Sequence, residues 1–191
     1  MSDLYSIPGT DCLANKLGIT DPDRLLIVEA RLVSIREVQV ARDTIPGDYN
    51  LDHFRAFHRA LFRDVYDWAG ETRTVDIGME VRFCHWRFVD DEVSAVLAEL
   101  AGEGRLVGYN QPAFVERLAY YYGELNARHP FREGNGRALR AFLRQLAAAA
   151  GYVLDWSELS KSENVEACRQ NLRTTDTRRL VEVLTPVVRH I

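Results

Sequence analysis

The chain has 191 residues, 28 of them acidic and 24 basic, for a formal net charge of −4. That length suits one domain with a sizeable core, and the sign of the charge gives no bulk attraction to nucleic acid or to an anionic membrane. No apolar run is long enough to span a bilayer.

Residues 1–20 read as an irregular arm, with Pro8-Gly9 a turn and Gly18 a stop. Residues 1–10 carry neither a basic n-region nor an apolar h-region, so no signal peptide is expected. Asp21-Pro22 has the form of an N-cap followed by Pro at the first helical position. Leu25, Leu26, Val28, Leu32 and Ile35 then recur at helical spacing to about Val40. Ile45-Pro46-Gly47 is a loop. A second helix starts near Asn50, with Phe54, Phe57, Leu61, Phe62 and Val65 as its apolar set.

Residues 72–88 change character. Thr74, Val75, Ile77, Val81, Phe83, Trp86 and Phe88 favour strand, and Gly78 offers a turn, so a short β-hairpin is predicted, the only one in the chain. Such a hairpin is weak in water unless it packs on something. Spacing alone leaves an ordinary helix-to-helix connector equally open. Helix resumes over 89–104, with Val93, Val96, Leu97 and Leu100 inward. Asn110-Gln111-Pro112 starts the next helix, whose core face is Phe114, Leu118, Tyr121, Tyr122 and Leu125. It should end near Arg128, because Pro130 pushes His129 out of the right-handed helical region.

The stretch that follows, His129-Pro130-Phe131-Arg132-Glu133-Gly134-Asn135-Gly136-Arg137-Ala138-Leu139-Arg140, concentrates usable chemistry. Glycines on either side of Asn135 permit positive φ, and successive backbone N–H groups can then face one concavity, an anion-binding nest. Arg137 to Ala150 favour helix, so the nest would sit on a helix N-terminus. Arg137 and Arg140 share one helix face and have fork geometry suited to phosphate. Glu133 would be repelled by bare phosphate, which points to a bridging cation, Mg²⁺. His129 is the residue here whose ordinary pKa lets it take a proton near neutrality. Taken singly, a His before Pro ends a helix and Gly-Asn-Gly makes a turn. In this order they compose nucleotidyl transfer: a nucleoside triphosphate held by the nest and Mg²⁺, with His129 deprotonating an incoming hydroxyl.

The helix from Gly136 to Ala150 is Ala-rich, and Gly151 fits its C′ position. Ser160-Lys161-Ser162-Glu163 is a capping box opening a helix with Val165, Cys168 and Leu172 apolar. A last helix is predicted from about Asp176 to Val188, with Leu180, Val183, Leu184 and Val187 inward. His53, His58, His85 and His190 form no metal pattern and read as structural or solvent-facing. The three cysteines, Cys12, Cys84 and Cys168, form no zinc spacing and leave an odd thiol, which points to a reducing cytosol. No P-loop is present. The expectation is a single all-α domain over residues 1–191, a bundle of about six to eight helices with one short hairpin.

The stretch at 129–140 resembles the signature of the Fic family, H-P-F-x-[D/E]-G-N-G-R-x-x-R, at every defined position. Residues 57–73, Pro8-Gly9-Thr10 and Asn15-Lys16-Leu17-Gly18-Ile19-Thr20 resemble the family more loosely. The resemblance implies the Fic fold and transfer of AMP from ATP to a Tyr, Thr or Ser hydroxyl of a target protein, with pyrophosphate released. It implies His129 as general base, Phe131 seating the loop, and Glu133 as the Mg²⁺ ligand. Gly134, Asn135 and Gly136 would line the phosphate nest, with Arg137 and Arg140 on the β- and γ-phosphates. Gly136 stands where a kinase-like branch has Lys, which argues for AMP transfer. Residues 72–88 would be the flap, a hairpin beside the active-site loop that grips the target by strand addition.

Many Fic proteins are inhibited by a helix bearing [S/T]-x-x-x-E-[G/N], whose Glu pairs with the second signature arginine. The nearest stretch here, Ser162-x-x-x-Glu166-Ala167, lacks the final Gly or Asn. Two readings follow from the resemblance: a toxin–antitoxin pair, in which a separate small antitoxin brings a glutamate to Arg140, or an uninhibited copy or fragment of a longer delivered effector; the first is the expectation. By analogy the target is an ATPase subunit of a type II topoisomerase. A bacterial cytoplasmic home is expected, or delivery into a host cell if the chain is part of a secreted effector. The alternatives are transfer of UMP, phosphocholine or phosphate, or an inactive Fic-fold binding module.

Overall fold

Four side-chain oxygens start four helices. Asp21 accepts from the Arg24 amide at 2.7 Å, Asn50 from His53 at 2.9 Å, Asn110 from Ala113 at 3.1 Å and Ser160 from Glu163 at 3.2 Å. Each satisfies an amide that lacks a partner within its own helix. They open α1 (Pro22–Arg42), α2 (Leu51–Phe62), α4 (Gln111–Arg128) and α6 (Lys161–Thr174). α3 (Val89–Gly102), α5 (Asn135–Ala149) and α7 (Arg178–Leu184) complete the helices of this computed structural model, which describes residues 4–78 and 83–191. The expected helical bundle is present.

The core forms around α5. Phe142 on its buried face meets Phe54 and Phe57 of α2 at ring separations of 5.0 and 5.6 Å. Aromatic pairs at such distances add to the area they bury. The predicted inward sets of α3 and α4 are all buried, Tyr121 and Tyr122 included.

Three expectations about the helices need correction. On α1 the buried face is Leu25, Glu29, Val33 and Val40, while Leu26 and Ile35 are 64% and 58% exposed. Leu25 is buried and Val28 and Leu32 pack against the core as the spacing implied, but the inward face also carries the carboxylate of Glu29, which apolar spacing does not reveal. On α6 the buried residues are Asn164, Ala167 and Asn171. The two asparagines are satisfied by Tyr122 Oη and the Asp176 carbonyl, which leaves Val165, Cys168 and Leu172 to line a cavity. The last helix stops at Leu184. Pro186 lies in a 3-10 turn, Thr185–Val187, and the chain leaves it as β2 (Val188–His190). β2 pairs antiparallel with β1 (Tyr152–Leu154), Leu154 opposite Val188.

That small sheet is not the hairpin expected at 72–88. Among the described residues of that segment there is no strand; Trp86–Phe88 is a 3-10 turn, and residues 79–82, with the expected strand former Val81, lie outside the described residues. Its backbone partners are elsewhere. The Arg73 amide donates to the Pro130 carbonyl and the Cys84 amide to Ala127. One leg is thus fastened to the last turn of α4, where carbonyls lack helical partners, and the other to the turn just beyond it.

Candidate active site

The turn from α4 to α5 carries the site. His129 caps α4 with left-handed backbone, φ 46° and ψ 62°. Its Nδ1 lies 3.1 Å from the Asn126 carbonyl. A carbonyl can only accept, so Nδ1 carries the proton and Nε2 keeps its lone pair. Among the described residues Nε2 has no partner. The Phe83 ring stacks on the imidazole at 3.8 Å. Burial, with a smaller push from the Arg73 cation, lowers the His129 pKa to about 4.

The loop beyond His129 is held from below. Phe131 is fully buried and stacks on His58 at 4.0 Å. His58 Nδ1 accepts the Gly70 amide at 2.8 Å, so its Nε2–H donates to the Glu133 carbonyl at 2.9 Å. Burial pushes the His58 pKa down to about 3. Asn135 closes the loop with two bonds, accepting from the Phe131 amide and donating to the Phe131 carbonyl, both at 2.7 Å. Its side chain is therefore committed, and only its backbone faces the nest. Gly134 has φ 79°, and a Cβ there would lie 2.1 Å from Phe62 Cζ. Gly136 differs from the expectation: it is helical, and its missing side chain leaves room beside Arg140.

All seven predicted site residues, His129, Glu133, Gly134, Asn135, Gly136, Arg137 and Arg140, line one cavity of about 630 Å³. The first-turn amides of Asn135, Gly136 and Arg137 have no partner among the described residues, as expected of a helix start. The Glu133 carboxylate accepts the Gly134 amide at 2.8 Å and lies 3.4 Å from Arg137. A second cavity of about 380 Å³ shares Gly136 and Arg140 and is walled by Phe83, Tyr122, Asn164 and Cys168.

Five residues outside the signature complete the site. Glu29, 3% exposed, pairs with Arg137 at 2.6 Å and accepts the Tyr66 hydroxyl. Burial and Glu29 together raise the Tyr66 pKa, keeping it a donor. Arg137 also lies over the Phe62 ring at 4.6 Å. Lys161, at the start of α6, lines the larger cavity. Arg73 spans the legs of the 72–88 segment and the His129 turn. Phe62, Tyr66 and Arg73 lie in the stretch 57–73, whose looser family resemblance was a signal for them; Glu29 and Lys161 had none.

The architecture is that of a helical domain whose α4–α5 turn presents an imidazole, the first amides of a helix and two arginines to one cavity. The Fic/DOC family profile matches residues 48–147, just over half of the chain, and the chain belongs to that family. It is 44% identical over 167 residues to the protein adenylyltransferase VbhT of Bartonella schoenbuchensis, covering 87% of this chain and 35% of that protein. It thus spans about a third of that relative. It is 41% identical over 160 residues to the probable protein adenylyltransferase Fic of Escherichia coli K12, covering 83% of this chain and 79% of that protein. The crystal structure of the effector BepC of Bartonella tribocorum with bound AMPPNP matches with a TM-score of 0.90 and 26% identity, covering 98% of this chain and 97% of that one. No helix among the described residues is long and apolar enough to cross a membrane.

Proposed function

We propose that this chain is a protein adenylyltransferase, one Fic domain across residues 1–191, that transfers AMP from ATP to a hydroxyl of a target protein. The observation that carries the reading is the meeting of a His129 Nε2 and first-turn amides, all without a partner among the described residues, with Arg137 and Arg140 in a single cavity. Names of relatives and a neighbour holding AMPPNP support it.

The triphosphate would lie over the N-terminus of α5, its β- and γ-phosphates on Arg137 and Arg140. The base would enter the adjoining cavity beside Tyr122, Asn164 and Cys168. The acceptor hydroxyl gives its proton to His129 Nε2 as its oxygen bonds to the α-phosphorus. The bond from that phosphorus to the bridging oxygen breaks, and pyrophosphate leaves with the electron pair. The Asn126 carbonyl keeps Nδ1–H oriented and stabilises the imidazolium that forms. Mg²⁺ fits as a passenger of the nucleotide. Glu133 offers one half-exposed carboxylate, and among the described residues no cluster of three His, Cys, Asp or Glu could hold a metal alone. One carboxylate beside substrate phosphates is an ordinary Mg²⁺ setting, where the ion neutralises phosphate charge.

The acceptor protein would dock along residues 72–88; by family analogy it is a topoisomerase ATPase subunit. The regulatory partner would be a small antitoxin with a helical glutamate. Arg137 already holds Glu29 and Glu133, whereas no carboxylate among the described residues reaches Arg140. Glu166 is spent on Arg169 on an exposed face. A guanidinium without its phosphate favours a carboxylate. The free thiols of Cys12, Cys84 and Cys168 accord with a cytoplasmic home.

The test is ATP labelled at the α-phosphate, added with the purified chain to a cell lysate. Wild type should label proteins. His129→Ala should bind ATP normally and label nothing; labelling at the normal rate by that variant would refute the mechanism. Label transferred from another nucleotide instead of ATP would reassign the group that moves.

A further inference from the structure

Arg73 is the largest fully buried side chain among the described residues, and neither the signature nor the mechanism above uses it. Its guanidinium reaches four backbone carbonyls in three places. Nε–H donates to His129 at 2.8 Å, and one terminal nitrogen donates to Val75 at 2.8 Å. The other terminal nitrogen donates to Cys84 and, at 3.3 Å, to Arg128. Asp76 stands 3.6 Å away and also accepts the Trp86 amide at 2.9 Å, so a carboxylate braces the same joint.

A buried cation is costly unless its donors are met. Here they are met by groups that themselves need donors: the last carbonyls of α4 and two legs with no strand ladder among their described residues. A helix cap alone would need only the Arg128 and His129 carbonyls. The bonds to Val75 and Cys84 do something more. They set both legs of the 72–88 segment at a fixed height relative to the His129 backbone. Phe83, next to Cys84, then lies on the imidazole at 3.8 Å.

We propose that Arg73 is a positioning residue that holds the acceptor-binding segment in register with His129, so that one guanidinium aligns the incoming hydroxyl with its base. This rests on the reading of His129 as base. Lysine retains the charge but cannot spread donors over the same fan of carbonyls. Arg73→Lys should therefore keep ATP affinity within about twofold while AMP transfer at saturating ATP falls by about tenfold or more, roughly what a misplacement of an ångström costs. Amide exchange at residues 74–76 and 83–85 should quicken, and the His129 ring resonances should shift.

Transfer at the wild-type rate would overturn the proposal. So would a loss of ATP affinity in step with transfer, which marks a general lesion. Should wild type transfer nothing, the adenylyltransferase reading fails, and exchange rates and ring resonances still decide the role of Arg73. Should Arg73→Lys not fold, native-state hydrogen exchange on wild type decides. The amides of Arg73, Cys84 and His129 should open as one cooperative unit; independent opening of the legs and the His129 turn would overturn the proposal.

Discussion

At the scale of a residue, His129 shows what the fold adds to a side chain. Its pKa is lowered to about 4, first by burial and then by Arg73. In the unfolded chain it titrates near its ordinary ~6.5. Folding therefore favours the neutral ring, and the native state binds fewer protons than the unfolded one between those values. The associated stability is fully present above about 6.5 and is lost as pH falls through about 4; His58, lowered to about 3, acts in the same direction. A ring-resonance titration of the nucleotide-free protein should place the His129 midpoint near pH 4. A midpoint near 6.5 would mean the ring is not desolvated as described. Gly134 makes the complementary case. Its φ of 79° and the 2.1 Å approach of Phe62 leave no room for a Cβ. Gly134→Ala should cost about 2–4 kcal/mol from left-handed strain and overpacking. By calorimetry that lowers Tm by roughly 5–15 °C for a chain of this size.

At the scale of an element, α1 is more than a flank of the bundle. It reaches into the site through Glu29, which ties α1 to α5 by Arg137 and to the loop after α2 by the Tyr66 hydroxyl. Removing one member of a buried pair leaves the other uncompensated. Glu29→Ala should destabilise by about 2–4 kcal/mol, the lower part of the range applying because Arg137 keeps some exposure. Tyr66→Phe should cost about 1 kcal/mol. Urea unfolding of the two single variants and the double should give a coupling above about 0.5 kcal/mol; strictly additive effects would show that Glu29 does not join them. The same element shows why reading from sequence stops where it does. The 129–140 turn was legible because its chemistry is contiguous, and α2 to α5 were legible because their core faces are apolar. Glu29, Asn164 and Asn171 were not, since polar core residues break the period that reveals a buried face. Residues 72–88 read as a hairpin because β-branched and aromatic residues favour extended backbone. Extended backbone needs partners but does not name them, and here they are the end of α4 and Arg73.

At the scale of the whole molecule, a net charge of −4 conceals a local reversal. Arg132, Arg137, Arg140 and Lys161 face one cavity against Glu37 and Glu133, and the open amides of α5 add partial positive charge. The cavity is assembled from α1, the His129 turn, α5 and α6, parts separated by most of the chain's length. A triphosphate that touches them all binds only the folded state and should stabilise it by mass action. ATP with Mg²⁺ at about a hundred times its Kd should add about 2.7 kcal/mol, a rise in Tm of roughly 5–11 °C. AMP lacks the phosphates assigned to Arg137 and Arg140 and should shift Tm less at equal concentration. Arg140→Ala should shrink the ATP shift toward the AMP value, because its guanidinium faces the cavity and holds no carboxylate among the described residues. His129→Ala should keep the full shift. Equal shifts by ATP and AMP in the wild-type protein would place the β- and γ-phosphates outside this cradle.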